Sequence, residues 1–370
     1  MQIRDKVVIL LTTILLFITI SYYLHTSSDF AYNDLTPIQL PSPFSNNQST
    51  VRLDGLKATL QSHLNLLEPE IKLSVETASK ETYSSLLSQL EGITEYNFLL
   101  SSIGSDTTLI LSPTYKQVFR ITQYLSNPEL ESKLRPSDFS LLQVCQDIID
   151  KIIIESMSDY DKELAIHDYI IQTTSYDYDN LVRNTVPDIA HTAAGALINH
   201  SAVCDGYSEA IQLLLSLVDI KCKIVTGFSN TNQPHSWNIV ELDNVWYMLD
   251  TTYDDPVIFN NSGERLESLS YDYFNVTDEI LMQDHVWDKG KWPSTTYNYF
   301  NVSGQIINTY DQFKDYIKNE IQSGSKEILC YITDYDPSIY KLDFIFDFYR
   351  GNIQFAAPAY NSGSLTIWLS

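Results

Sequence analysis

Residues 202–256 read AVCDGYSEAIQLLLSLVDIKCKIVTGFSNTNQPHSWNIVELDNVWYMLDTTYDDP. The spacing predicts a helix from Cys204 to about Val218, because Ile211, Leu214, Leu215 and Val218 fall on one face. Three segments rich in β-branched and aromatic residues follow: CKIVTGF, SWNIVEL and VWYMLD. Asp243-Asn244 lies between the last two and predicts a tight turn, so these two segments form a hairpin. One helix delivering its start to the end of an antiparallel hairpin sets the expected core.

That arrangement collects Cys204, His235 and Asp250. Paired positions across a turn at Asp243-Asn244 have indices that sum to 487; His235 and Asp250 give 485, which places them at the same open end of the ladder. A thiol attacks a carbonyl as thiolate, and a helix amino terminus favours that form through its unpaired N–H groups and axial dipole. An imidazole beside the sulfur exchanges its proton, and a carboxylate behind the imidazole fixes its tautomer. The backbone N–H of Cys204 is the expected oxyanion donor. His191 precedes this helix and is a second candidate for the cleft or oxyanion hole. Tyr207, Trp237 and Trp246 are candidates for cleft walls, with the core as the competing place for them. His167 reads as a packing or surface residue. Asp254 and Asp255 lack a fuller set of oxygen ligands, which predicts a turn with solvated charges in place of a calcium site. No cofactor is expected.

Outward from the centre, Ser137 and Asp138 precede the periodic run SLLQVCQDIIDKIIIESM, and Ser158 and Asp159 precede YDKELAIHDYIIQTT, which predicts two consecutive helices. A further short helix is expected from Thr192 to Ile198. Before them, LKATLQSHLNLL reads as amphipathic helix, whereas TTLILS and QVFRITQYL read as extended or ambiguous. Near Ile306 a last unit begins with YDQFKDYIKNEI and continues through EILCYI, NIQFAAPAY and SLTIWLS. The expected division is an N-terminal α+β lobe over 51–135, a core over 136–300 and a C-terminal α+β lobe over 301–370.

The stretch from Val7 to Leu24 holds no charged residue and approaches the thickness of a hydrocarbon core. Arg4 and Lys6 precede it, which keeps the amino terminus cytoplasmic and places the rest outside. Residues 1–24 are thus a membrane anchor or a signal segment, and the Ser-, Asn- and Pro-rich residues 25–50 a flexible linker. The chain of 370 residues carries 23 Lys and Arg against 47 Asp and Glu, a formal net charge of −24, which argues against a nucleic-acid partner. Its four cysteines include no C-x-x-C pair, so neither a structural zinc cluster nor a thioredoxin-like motif is expected.

The motifs HDYIIQTTSYDYD, AHTAAGAL, AVCDGYSEA, HSWNIVELDNVWYMLD and DTTYDDP resemble the transglutaminase-like superfamily, in its exported bacterial branch with a papain-like core. The resemblance covers about 160–256, and YFNVTDEILMQDHVW extends it toward residue 287. It implies an α+β fold in which Cys204 is nucleophile, His235 general base and acid, and Asp250 the orienting group. Crosslinking transglutaminases carry a Trp directly after the nucleophile where this chain has Asp205, which weakens crosslinking relative to hydrolysis. The implied activity is a peptidase or amidase acting on cell-surface protein or peptidoglycan-linked peptide. A protein crosslinker and a catalytically silent binding module are the alternatives.

Overall fold

The computed structural model describes residues 50–259, 265–266, 269–288, 297–356 and 363–370. The apolar segment expected at 1–24 lies outside the described residues, as does the linker up to residue 49. Among the described residues no helix is long and apolar enough to cross a membrane. The architecture is mixed α+β.

Helix α1 (Leu53–Asn65) buries Leu56, Leu60 and Leu64, one face at four-residue spacing. It packs on a three-stranded antiparallel sheet in the order β1 (Ile71–Val75), β3 (Asp106–Tyr115), β2 (Ile93–Ile103), with helix α2 (Lys80–Leu87) alongside. In β1 the alternation of buried Ile71, Leu73 and Val75 is what a sheet covered on one face requires.

The segment QVFRITQYL, expected to be extended or ambiguous, is instead helix α3 (Gln117–Ser126). Its Val118 and Ile121 belong to the central core, and Arg120 forms a buried bidentate pair with Asp138, Nε and Nη2 donating to the two carboxylate oxygens at 2.7 and 2.7 Å. Tertiary packing has overridden the strand propensity of its β-branched and aromatic residues. Helix α4 (Pro136–Ile152) starts one residue before the expected Ser137-Asp138 cap, with Asp138 accepting the Arg135 N–H at 2.9 Å, and ends short of the expected Met157. Helix α5 (Asp159–Thr173) is capped by Ser158, whose hydroxyl accepts the Asp161 N–H at 3.1 Å.

Helix α6 (Cys204–Leu217) is the axis of the core. Tyr207, Ala210, Ile211, Leu213, Leu214 and Leu215 are all fully buried, the signature of a helix enclosed on every side. Helices α3, α4 and α5 pack against it on one flank. On the other lies an antiparallel sheet in the order β7 (His285–Val286), β4 (Lys221–Ser229), β5 (Pro234–Leu242), β6 (Val245–Leu249). The β5–β6 register pairs Asn238 with Leu249 and Leu242 with Val245, the register expected from the sequence. Asp243 and Asn244 close it with φ of 51° and 62°, the left-handed pair of a type I′ turn, which Asn and Asp tolerate. Val240, Leu242 and Leu249 face the main core, while Trp237, Ile239 and Met248 pack on the opposite face with Val276 and Leu281. Strand β5 is thus packed on both faces.

The last unit is a four-stranded sheet in the order β8 (Ile306–Ile307), β9 (Glu327–Ile332), β11 (Gly363–Leu369), β10 (Ile353–Ala356), covered by helix α7 (Tyr310–Ser323) through Phe313 and Ile317. It is tied to the core where Ser364 donates from N and Oγ to Asp272 at 2.9 and 2.8 Å.

Candidate active site

Cys204 is the first residue of α6, and the preceding Val203 is extended and offers no capping side chain. Among the first-turn N–H groups that of Gly206 donates to the Val203 carbonyl at 2.9 Å, which leaves those of Cys204 and Asp205 at the end where the sulfur stands, partly buried. Gly206 allows that helix end to press against the segment before it. A Cβ there would lie 2.6 Å from the Ala190 carbonyl oxygen and 2.9 Å from that of Thr192.

Three polar ties dock this end on β5. Ser236 donates to Asp205 at 2.9 Å, Ser208 donates to Ser236 at 3.3 Å, and the Asn238 amide donates to the Ser208 carbonyl at 3.0 Å. They bring His235, one residue before Ser236, within electrostatic reach of the Cys204 sulfur. On its far side His235 Nε2–H donates to Asp250 Oδ2 at 2.6 Å, leaving Nδ1 as the nitrogen for the sulfur. Asp250 is 0% exposed, and its Oδ1 accepts the backbone N–H groups of Thr252 and Tyr253 at 2.9 and 3.2 Å. Burial alone would disfavour the charge on both partners, but the paired charges and the bonds between them win. His235 is held above the usual imidazole range and Asp250 well below the usual carboxylate range.

The sequence reading missed His285. Its Nε2–H donates to the same Asp250 Oδ2 at 2.9 Å, and its Nδ1–H donates to Asp284 Oδ1 at 2.6 Å. Two carboxylates on one ring outweigh burial and raise its protonation as well. The aromatic rings of Tyr253, Trp237 and Tyr273 enclose this imidazole at 4.6, 5.0 and 5.8 Å between centroids. His235, Asp250 and His285 have donor atoms within 4.8 Å of one another, a set with ligand chemistry. Their N···O separations of 2.6 and 2.9 Å are those of charge-assisted hydrogen bonds, shorter than the ~3.3 Å that tetrahedral ligands around zinc keep, so protons already satisfy the cluster. The adjacent Asp284-His285 in the segment of weak resemblance was the available signal. Nothing local in it says that β7 crosses to pair with β4, His285 opposite Ser229.

Other candidates fall into three places. His191 lies exposed beside the helix entrance, bonded through Nδ1 to Asp205 Oδ2 at 2.9 Å, so it is adjacent to the sulfur's neighbour and solvent-facing. Tyr207 and Trp237 are core side chains that back the site without lining an open surface: Tyr207 donates to Asp255 at 2.5 Å, and Trp237 stacks under His235 at 5.8 Å. Trp246 is partly buried, with the Lys223 ammonium 5.5 Å over its ring. The expectation that Asp254 and Asp255 are solvated is overturned, since both are buried. Asp254 accepts from His167 Nε2 at 3.2 Å and from the Tyr273 N–H at 3.0 Å, which makes the fully buried His167 a strut between α5 and the loop after β6.

The fold thus brings together a sulfur at a helix entrance, an imidazole at a strand start and a carboxylate at the adjoining strand end, on an α+β frame. Residues 146–251 match the model of the transglutaminase-like superfamily. The kyphoscoliosis peptidase of Mus musculus is 22% identical over 157 residues, which is 40% of this chain and 23% of that protein, and the Homo sapiens kyphoscoliosis peptidase gives the same figures. The alignment thus spans less than a quarter of those relatives' length. Among solved structures, a TGase crystal structure is 16% identical with a TM-score of 0.30, covering 52% of this chain and 57% of the other. A candidate protease from Parabacteroides distasonis is 11% identical with a TM-score of 0.26, covering 81% of this chain and 66% of the other.

Proposed function

We propose that the protein is an exported, membrane-tethered thiol hydrolase of the peptidase or amidase type, acting on cell-surface protein or wall-linked peptide. The observation that carries this reading is the line from Cys204 through His235 to Asp250, with the 2.6 Å bond at its buried end and the helix entrance at its open end. The Cys204 thiolate adds to an amide carbonyl, whose oxygen is met by N–H groups of the first turn of α6. The C–N bond breaks as His235 Nδ1–H gives its proton to the departing amine, leaving a Cys204 thioester. Water then attacks that thioester, His235 takes its proton, the acid is released and the thiol–imidazole pair is restored. Asp250 holds the imidazole through both steps.

Water is favoured over an amine as acceptor because the residue after the nucleophile is Asp205, half-exposed and held by Ser236 and His191, where crosslinking enzymes carry an apolar Trp. The distant likeness to a peptidase supports hydrolysis as well. The apolar run from Val7 to Leu24 behind Arg4 and Lys6 supports the tether, and protease added to intact cells should reach residues 25–370. The test incubates residues 51–370 and its Cys204→Ala variant with Gln-containing protein and with wall-derived peptides, with and without a labelled primary amine. New termini or released ammonia independent of amine, absent in Cys204→Ala, support a hydrolase. Label incorporated in proportion to amine identifies a crosslinker, and no turnover of either class points to a binding module.

A further inference from the structure

Asp250 has four acceptor sites and all four are filled. Oδ1 takes the Thr252 and Tyr253 N–H groups, and Oδ2 takes both His235 and His285. The line of side chains therefore does not stop at Asp250. It continues through His285 to Asp284, whose second oxygen accepts the Tyr273 hydroxyl. Acidic and basic groups alternate along it, from sulfur through imidazole, carboxylate and imidazole to the last carboxylate.

The backbone delivers His285 deliberately close. Strand β7 pairs with β4 through His285–Ser229 and Val286–Phe228, and the Asn230 N–H donates to the Asp284 carbonyl at 2.7 Å. Gly227, opposite His235 in the β4–β5 ladder, makes the approach possible, since a Cβ there would meet the Val286 carbonyl oxygen at 2.4 Å and the Trp237 ring at 2.8 Å. The groups facing the His285 ring are Asp250, Asp284, His235 at 5.2 Å, Tyr253, Tyr273 and Trp237.

Building on the assignment of Cys204 and His235 above, we propose that His285 is a positioning residue: it pins Asp250 Oδ2 alongside His235 and shares the carboxylate's charge. Without the pin, Oδ2 is free to leave the His235 N–H. Without the shared charge, Asp250 holds the His235 proton more tightly and yields it to a leaving amine less readily. A group bonded to the acceptor of a catalytic imidazole acts through that acceptor alone, as outer-shell partners of metal-bound histidines do.

The test uses the full chain with His285→Leu and His285→Gln. Gln keeps an N–H for Asp250 and loses the charge; Leu loses both. Alkylation of Cys204 by iodoacetamide, followed by mass mapping, should slow roughly 10–100-fold in His285→Leu and recover to within about threefold of the parent in His285→Gln. The His235 titration, followed by NMR of labelled histidine, should move about one pH unit upward in His285→Gln, because a positive neighbour has gone. Equal labelling in all three proteins with an unmoved His235 titration reduces His285 to packing and overturns the proposal. If His285→Leu does not fold, Asp284→Asn decides: by weakening the hold on His285 it should raise the His235 titration too, and no movement there counts against the proposal. Slow labelling of Cys204 in the parent itself would instead sink the nucleophile assignment, leaving the histidine titration to judge His285.

Discussion

Asp250 is the residue that ties the candidate site together, because it binds two imidazoles and two backbone N–H groups while excluded from solvent. Its depressed protonation stabilises the fold fully above the ordinary carboxylate range, and that contribution is lost as pH falls through the lowered native value. Asp250→Asn keeps the size of the side chain, removes the charge and leaves one oxygen to serve four donors. Cys204 alkylation at neutral pH should fall on the order of 10²–10⁴-fold, measured on the fraction shown to be folded by a urea titration. An unchanged rate would remove Asp250 from the site. The Cys204, His235 and Asp250 positions were legible because the helix, the hairpin and the Asp243-Asn244 turn are all local signals. His285 was not, since its place depends on a pairing between β7 and β4 that lie more than fifty residues apart. The burial of Asp254 and Asp255 was hidden for the same reason: their partners His167 and Tyr207 come from helices far along the chain.

At the scale of elements, the entrance of α6 is set by how closely it meets residues 190–192. Gly206→Ala places a methyl group 2.6 Å from one backbone oxygen and 2.9 Å from another, neither of which is the movable end of a side chain. The helix must back away, at a cost of about 1–3 kcal/mol in urea unfolding and with a shift of the sulfur relative to His235 that lowers alkylation along with stability. Full stability in that variant would show the packing here to be loose. Helix α3 carries the opposite lesson about sequence. Val118, Ile121 and Thr122 gave QVFRITQYL the look of a strand, yet the apolar face it offers to α6 and the Arg120–Asp138 pair fix it as helix. Its local preference was weak and packing decided.

Across the whole molecule, the acidic composition reaches into the interior. Glu163 on α5 is fully buried with one oxygen bonded to the Asn275 amide at 2.8 Å, and burial pushes its carboxyl up to about 8. A carboxyl raised in the native state stabilises the fold fully below its unfolded value near 4.3, and that contribution is lost as pH rises through about 8. Urea unfolding of the parent should thus weaken between pH 5 and 8, on the order of a few kcal/mol at most. Glu163→Gln, neutral at every pH and still able to meet Asn275, should flatten that slope; an equally steep slope in the variant would assign the loss to other groups. The four cysteines differ in setting: burial pushes Cys145 and Cys330 up to about 12 and raises Cys222 further, whereas Cys204 stands partly exposed at a helix entrance beside His235. The most direct measurement is mass-mapped alkylation of the full chain at pH 6, in the parent and in His235→Ala. The account predicts that Cys204 is modified first in the parent, well ahead of the other three, and slows roughly 100-fold in the variant. Labelling of Cys204 no faster than Cys222, or unaffected by loss of His235, would contradict it.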